Sequence, residues 1–425
     1  YDSDDIWLTG GFTLRPLKNV SIVADYTWNS FRQNAKVFVK EFNEYGAVPA
    51  GQDIKDPSKA ILLGPYPWNS PAYAWEGNNH DIYTTANIYA QYENTFDEKH
   101  YVKGMVGYNQ ETKHFESFSA QVKNLLNQDY PYLKLNNDPK PSVGSGISDW
   151  ALVGTFFRLN YVYNRKYLLE VNGRYDGSSR FAAASRYVFS PSASLGWRIS
   201  EEAFFKPLKD VVYDLKFRAS YGTLPNQKYK DWLYPYIPTM PYGMTNYIFG
   251  NEQQMSVTAP SLVSSDFTWE NVTTQNYGVD YSFFNGRVGG NFDYYIRDTK
   301  GMIVPGMPRP AILGTSVPER NAADLRTRGF EFEITWRDQL SNGLKYNIGF
   351  NLADNRAFIT KYDLNPSGNI NQFYVGREIG EIWGYVTYGF YATDKEAEKV
   401  DNSKLWSGKW LAGDIRFKNL NGDKT

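Results

Sequence analysis

Glu331 and Glu333, in the segment DLRTRGFEFEITW, are paired carboxylates one residue apart and the first groups here whose spacing suggests chemistry. Two carboxyls flanking a glycosidic bond can hydrolyse it. On a strand, residues i and i+2 stand side by side on one face, and no shaped cleft lies between them, so catalysis is not expected. A second cluster, Asn419, Asn421 and Asp423 around Gly422 in NLNGDKT, has the spacing of a Ca²⁺ loop. Such a loop needs a Glu at its twelfth position, which the sequence does not reach, so a structural Ca²⁺ in an outer loop competes with a plain Asn-Gly turn. There is no cysteine, and His80, His100 and His114 do not fall at ligand spacing. Thiolate chemistry, disulfides and a His-rich zinc site are therefore not expected. No G-x-x-x-x-G-K-[ST] occurs, so nucleotide chemistry has no support.

Other charged residues recur at every second position between apolar ones. In YLLEVNGRYDGSSRF, Tyr167, Leu169, Val171 and Tyr175 alternate with Glu170, Asn172, Arg174 and Asp176. Leu215, Phe217, Ala219 and Tyr221 alternate with Lys216, Arg218 and Ser220, and Phe330, Phe332, Ile334 and Trp336 with Glu331, Glu333 and Arg337. Period-2 alternation is the signature of strands with two unlike faces. About thirteen such strands, most of about 9–13 residues, are expected by this reading. Strands of soluble sandwiches average about 5–6 residues.

Connections between these strands alternate in length. Short ones lie near 15–19, 94–99, 164–166, 284–286 and 338–343, and long ones near 30–80, 113–150, 177–185, 224–268, 298–326 and from 355 onward. The connection over 200–211 is of middling length and by parity belongs with the short ones. Short turns on one side and long loops on the other are the sidedness of an outer-membrane barrel.

Composition agrees. Aromatic residues make up 17% of the 425, with 35 glycines, which favours strands and turns. The formal net charge of −1 does not suggest a nucleic-acid partner. No apolar run reaches a transmembrane helix, but spanning strands need only every second residue apolar. Backbone groups cannot stay unpaired in lipid, so such strands must close into a barrel. Glu170, Arg174, Asp176, Arg218, Glu331, Glu333 and Arg337 are then expected to face a wet lumen, against the plainer reading that they are merely solvated or touch a plug. A start at Tyr1 and an end in a polar segment read as an interior portion of a longer protein.

The segment FFRLNYVYNRKYLLEVNGRYDGSSRFAAASRYVFSPSASLGWRISEEAFF resembles the central barrel of SusC/RagA-like TonB-dependent transporters of Bacteroidetes. LKFRASYGTLPNQ, TWENVTTQNYGVDYSFFNGRVGGNFDYYIRDTKGMI, RTRGFEFEITW, IGEIWGYVTYGFY and GDIRFKNLNGD follow in the family's order, so the match runs serially over about 157–423. Residues 1–150 match only in style, and the plug, the TonB box and the last strands of the family are missing. The resemblance implies an all-β, incomplete transmembrane antiparallel barrel, part of about 22 strands, with 1–425 as a piece of one barrel domain in a Gram-negative outer membrane.

It further implies energised uptake of oligosaccharides or peptides, with no cofactor, a TonB–ExbB–ExbD system as motor and a SusD-like lipoprotein over the outer loops. A passive porin, a barrel enzyme and a docking barrel of a larger outer-membrane assembly are the rivals. Exposed-looking aromatics in the long loops are the expected ligand-binding residues: Trp68, Tyr73, Trp75, Trp232, Tyr234 and Tyr236. The alternative for each is loop packing or a lid interface.

Overall fold

The computed structural model describes residues 1–46, 61–228, 230, 233–264, 267–307, 310, 312, 314, 317–400, 408–418 and 420. Asn419, Asn421, Asp423 and Trp232 lie outside these residues. The described chain forms two compact units, Tyr1–Gly376 and Arg377–Thr425.

The first unit is built on strands β1 (Asp2–Leu17), β2 (Val20–Val39), β3 (Asn43–Gly46), β4 (Ile61–Pro65), β5 (Tyr73–Phe96), β6 (His100–Lys123), β7 (Ser142–Tyr163) and β8 (Tyr167–Ser178). It continues with β9 (Tyr187–Arg198), β10 (Val212–Asn226), β11 (Tyr242–Phe249), β12 (Glu252–Val257), β13 (Glu270–Phe283), β14 (Val288–Val304), β15 (Arg320–Gln339) and β16 (Lys345–Tyr362). Twelve of these make one antiparallel sheet in the order β1-β2-β5-β6-β7-β8-β9-β10-β13-β14-β15-β16, open at β1 and β16. Each strand pairs with its sequence neighbour in the sheet; β3–β4 and β11–β12 are separate hairpins inserted in long loops. The second unit holds the short pair β17 (Thr387–Phe390) and β18 (Ile415–Phe417), where Arg416 pairs with Glu396 at 2.8 Å.

The count and lengths of strands correct the sequence reading. The sheet has 12 strands, of 12 to 24 residues, and β5 and β6 reach 24. The reason is physical: tilted strands climb about 2.5 Å per residue along the barrel axis. Beyond an apolar band of about 25 Å neither face need be apolar. Pairing then continues through EGNN in β5 and SVGSGISD in β7, where alternation is lost. The loops shrink accordingly, to 40–72, 124–141, 227–269 and 305–319, and β16 extends to Tyr362. Tyr73 and Trp75, expected in a loop, are therefore strand residues of β5.

The alternation of connection lengths stands. Three of the tight turns carry positive φ at two successive residues: Asp97 and Glu98, Asn164 and Arg165, Phe284 and Asn285. Each is closed by a backbone bond, such as Lys99 N to Phe96 O at 3.0 Å and Lys166 N to Tyr163 O at 2.9 Å. These are type I′ turns, whose twist matches that of the flanking strands. The 199–211 connection falls at the same end. There Glu202 accepts from Lys166 Nζ (2.8 Å), Tyr167 Oη (2.7 Å) and Trp197 Nε1 (3.2 Å), tying it to the 164–166 turn.

Candidate functional site

Strand pairing decides which side chains share a face. Glu170 lies opposite Asn160 and Ser194, Arg174 opposite Phe156 and Ser190, and Arg218 opposite Gly196 and Gly278. Continuing across, Gly278 lies opposite Asp293, Asp293 opposite Glu331, and Glu333 opposite Asn291. Glu170, Arg174, Asp176, Arg218, Glu331, Glu333 and Arg337 thus share one polar face. Leu169, Tyr175, Leu195, Phe217 and Ile348 occupy the other, with Leu195 61% exposed.

The charges on the polar face are paired. Arg174 binds Asp176 bidentately (2.7 and 3.2 Å), and both bend over Gly154, whose missing Cβ leaves the room. Arg174 also lies 5.4 Å from the Phe156 ring centroid. Asn160 and Asn172 donate to Glu170 at 2.5 and 2.8 Å. Lys216 and Arg218 reach Asp280 at 3.2 and 3.0 Å. Paired charges of this sort tolerate partial desolvation that isolated ones do not. Glu331 and Glu333 lie opposite Asp293 and Asn291 of β14, side by side on the polar face.

A cleft of about 540 Å³ opens on this face, lined among others by Glu111, Phe156, Arg158, Arg174, Ser190 and Gln227. Ser190 Oγ and Gln227 Oε1 are buried there without a hydrogen-bond partner among the described residues. Beside it runs a row of rings that sequence reasoning missed. Trp7, Asn29, Tyr83, Lys113 and Trp150 lie directly opposite one another on β1, β2, β5, β6 and β7. Trp7 and Tyr83 bring their ring centroids to 6.3 Å over Asn29, and Tyr83 and Trp150 do the same over Lys113. Tyr83 Oη donates to Glu111 (3.1 Å), which joins the row to the cleft. No local pattern marks these three rings; only the register aligns them.

The motif DGSSRF builds the end of the row. Ser179 Oγ accepts the N–H of Ala151 (3.0 Å), and Ser179 N–H donates to Ala151 O (3.0 Å), which fastens the loop to β7. Phe181 is 1% exposed and anchors a small core with Phe267 and Trp269. Between these two anchors, Arg180 sits 5.8 Å from the centroid of Trp150. Burial pushes the Arg180 pKa below its ordinary value, with the Tyr234 phenol opposing.

The sequence-predicted ligand residues are dispersed. Trp68 is 83% exposed in the 66–72 segment. Tyr73 and Trp75 stand on the polar face of β5, further toward the long-loop end than Tyr83, with the Trp75 indole folded over Gly77. Tyr234 donates its hydroxyl to Asp149 O, and Tyr236 to Ser179 O at 3.3 Å, so both rings staple the 227–269 loop to the rim beside Trp150 and Arg180. Burial raises the Tyr234 pKa, and the Asp149 carboxylate adds to this.

Comparison with known proteins agrees with this architecture. The family described as TonB dependent receptor-like, beta-barrel matches residues 1–422. TonB-dependent receptor SusC of Bacteroides thetaiotaomicron is 29% identical over 336 residues, 76% of this chain and 32% of that protein. TonB-dependent receptor P3 of Formosa agariphila is 27% identical over 355 residues, 80% of this chain and 34% of that protein. The chain thus spans about a third of the length of the curated relatives it matches. Among solved structures, the RagAB peptide transporter superposes with a TM-score of 0.72 at 19% identity, covering 92% of this chain and 41% of the other.

Proposed function

The chain belongs to the TonB-dependent receptor family, as outer-membrane β-barrel wall, and from this premise we propose that it serves an active importer of oligosaccharides or peptides. The family is one of transporters and receptors rather than enzymes. In this reading the polar face lines the lumen and the apolar face meets lipid. The 199–211 connection and the tight turns are periplasmic, and the long loops are extracellular. A TonB–ExbB–ExbD system supplies the energy, and a SusD-like lipoprotein covers the outer loops.

The observation that carries this reading is the continuity of the two faces. Through the middle of the sheet, from Glu170 on β8 through Arg218 and Asp293 to Glu333 on β15, the pairings keep ions on one side and Leu169, Leu195, Phe217 and Phe292 on the other. Toward the long-loop end the rule relaxes, with Phe156 opposite Arg174 and the Asp298–Arg326 pair on the apolar side. Such a sheet places ions in hydrocarbon if any strand slips by one residue. It suits a wall between lipid and a wet passage.

The mechanism follows from what the wall can and cannot do. It offers binding, not covalent chemistry. Substrate enters between the loops and rests against the polar face. A pull from the inner-membrane partner then opens a path along that face, where paired charges present no strong single-sign trap.

Isolation of the full-length protein from outer membranes in mild detergent, followed by mass spectrometry, tests the reading. A near-stoichiometric surface lipoprotein is expected. A barrel that comes alone, and whose uptake continues without the TonB-type partner, would overturn it.

A further inference from the structure

We propose that Trp7, Tyr83, Trp150 and Arg180 form an outer-mouth subsite for an anionic oligosaccharide, its sugar faces on the three rings and its acid group on the guanidinium. The inference rests on the importer reading and names its substrate class.

Position comes first. Trp7, Tyr83 and Trp150 lie 10, 13 and 13 residues from Leu17, Phe96 and Tyr163, the tight-turn ends of their strands. At about 2.5 Å of climb per residue this places the row at or just above the outer edge of an apolar band of about 25 Å. The row therefore faces the passage where an incoming ligand first meets the wall.

Shape comes next. The three rings form a strip with two steps of 6.3 Å. Asn29, between the first two, is held by Asp5 Oδ1 (2.6 Å) and Ile6 O (3.2 Å). Lys113, between the second two, is held by Asp81 at 2.8 Å. The polar residues under the strip are thus already engaged, and the ring faces are what remains. Trp7 is 57% exposed. A pyranose offers a C–H face that packs on such rings, and its hydroxyls would reach Ser190 Oγ and Gln227 Oε1 of the adjoining cleft, both buried and without a partner among the described residues.

Charge decides the class. Arg180 Nε is buried with no hydrogen-bond partner, and the guanidinium forms no ion pair among the described residues. Arg174 and Arg218 on the same face are bound bidentately to aspartates. A cation stacked on a ring and left without an anion is poised to accept one, and guanidinium suits the planar carboxylate of a uronate or the oxygens of a sulfate. A peptide is the weaker candidate. Extended peptides bind best along a sheet edge, where backbone groups are free. Here the row crosses the face of the sheet, and from β2 to β7 the backbone groups are spent in the ladder.

The test is titration of the full-length transporter, in detergent and with any lipoprotein that copurifies, followed by tryptophan fluorescence and calorimetry. The probes are oligogalacturonate, a sulfated galactan oligosaccharide that contains no uronate, maltohexaose and hexaglutamate. Binding of either acidic saccharide well above maltohexaose is expected; the one that binds tells carboxylate from sulfate. Arg180→Gln should weaken it about tenfold or more, Arg180→Lys less, and Trp150→Ala should also weaken it. Unchanged heat-modifiable migration on gels would show that these variants are folded. Equal affinity of wild type and Arg180→Gln, preference for maltohexaose or hexaglutamate, or no binding of any probe would each overturn the subsite. TonB-dependent uptake measured in parallel keeps the two ideas apart. Uptake without acidic-saccharide binding sinks only the subsite, whereas binding without energised uptake sinks the importer.

Discussion

Arg218 on β10 grips Asp293 on β14, two strands away, by reaching across Gly278 on β13. The two bonds measure 2.6 and 2.5 Å, and Asp293 is 7% exposed. A Cβ at position 278 would overlap the guanidinium. The glycine is thus the gap through which a cross-strand pair becomes a cross-sheet clamp, with Asp280 as a third member at 3.0 Å.

Removing either end should be costly. Asp293→Ala leaves a half-buried arginine with one carboxylate and should lower stability by about 1–3 kcal/mol. Gly278→Val should cost a similar amount by displacing the guanidinium. The urea midpoint of the detergent-solubilised full-length protein reads both. An unchanged midpoint in Asp293→Ala would mean that the clamp contributes nothing net.

The two faces predict opposite responses to one substitution. Leu195→Lys on the apolar face of β9 should destabilise the membrane-inserted barrel by about 2–4 kcal/mol. Ser194→Lys, the neighbouring residue on the polar face, should fall within about 0.5 kcal/mol. Equal losses at the two sites in a lipid-vesicle unfolding assay would contradict the assignment of faces.

The sequence made the sheet legible because lipid imposes a rule on every residue of a spanning segment. Leu169, Phe217 and Ile348 had to face one way and Glu170, Arg218 and Glu333 the other, and the pairings place them so. The rule lapses above the membrane, which is why Tyr73 and Trp75 read as loop and belong to β5. The aromatic row was illegible for a different reason. Trp7, Tyr83 and Trp150 are far apart in sequence, and only the register of five strands aligns them. Gly154 and Gly278 were equally hidden, since a glycine in a strand does not announce which neighbour will lie across it.

Turn geometry offers a stabilising change. Arg165 sits at φ 60° in the second central position of a type I′ turn, after Asn164 at φ 49°. An L-residue pays about 1–2 kcal/mol in that region, whereas glycine does not. Arg165→Gly creates the favoured Asn-Gly pair and should gain up to about 1 kcal/mol after the added freedom of the unfolded chain is subtracted. The same urea midpoint checks it, and a loss would show that the arginine side chain has a role at the membrane surface.

Acid should loosen the tight-turn end through Glu202. Its carboxyl is held down to about 2, first by the hydrogen bond from Lys166, then by that from Tyr167, with burial opposing and Trp197 adding a smaller effect. Because the folded-state value lies below the ordinary 4.5, the unfolded chain binds the proton more readily as pH falls. The stabilisation is therefore complete above about 4.5 and drains away between there and about 2. Lys166 works in the opposite direction: the same contact raises its pKa, so its share is full at neutral pH and fades only in strong alkali. Glu202→Gln keeps the shape but removes the proton-linked part, so stability between pH 4.5 and about 2 should fall less steeply than in the wild type. Parallel slopes for the two proteins over that window would show that the Lys166–Glu202 contact does not hold the connection in place.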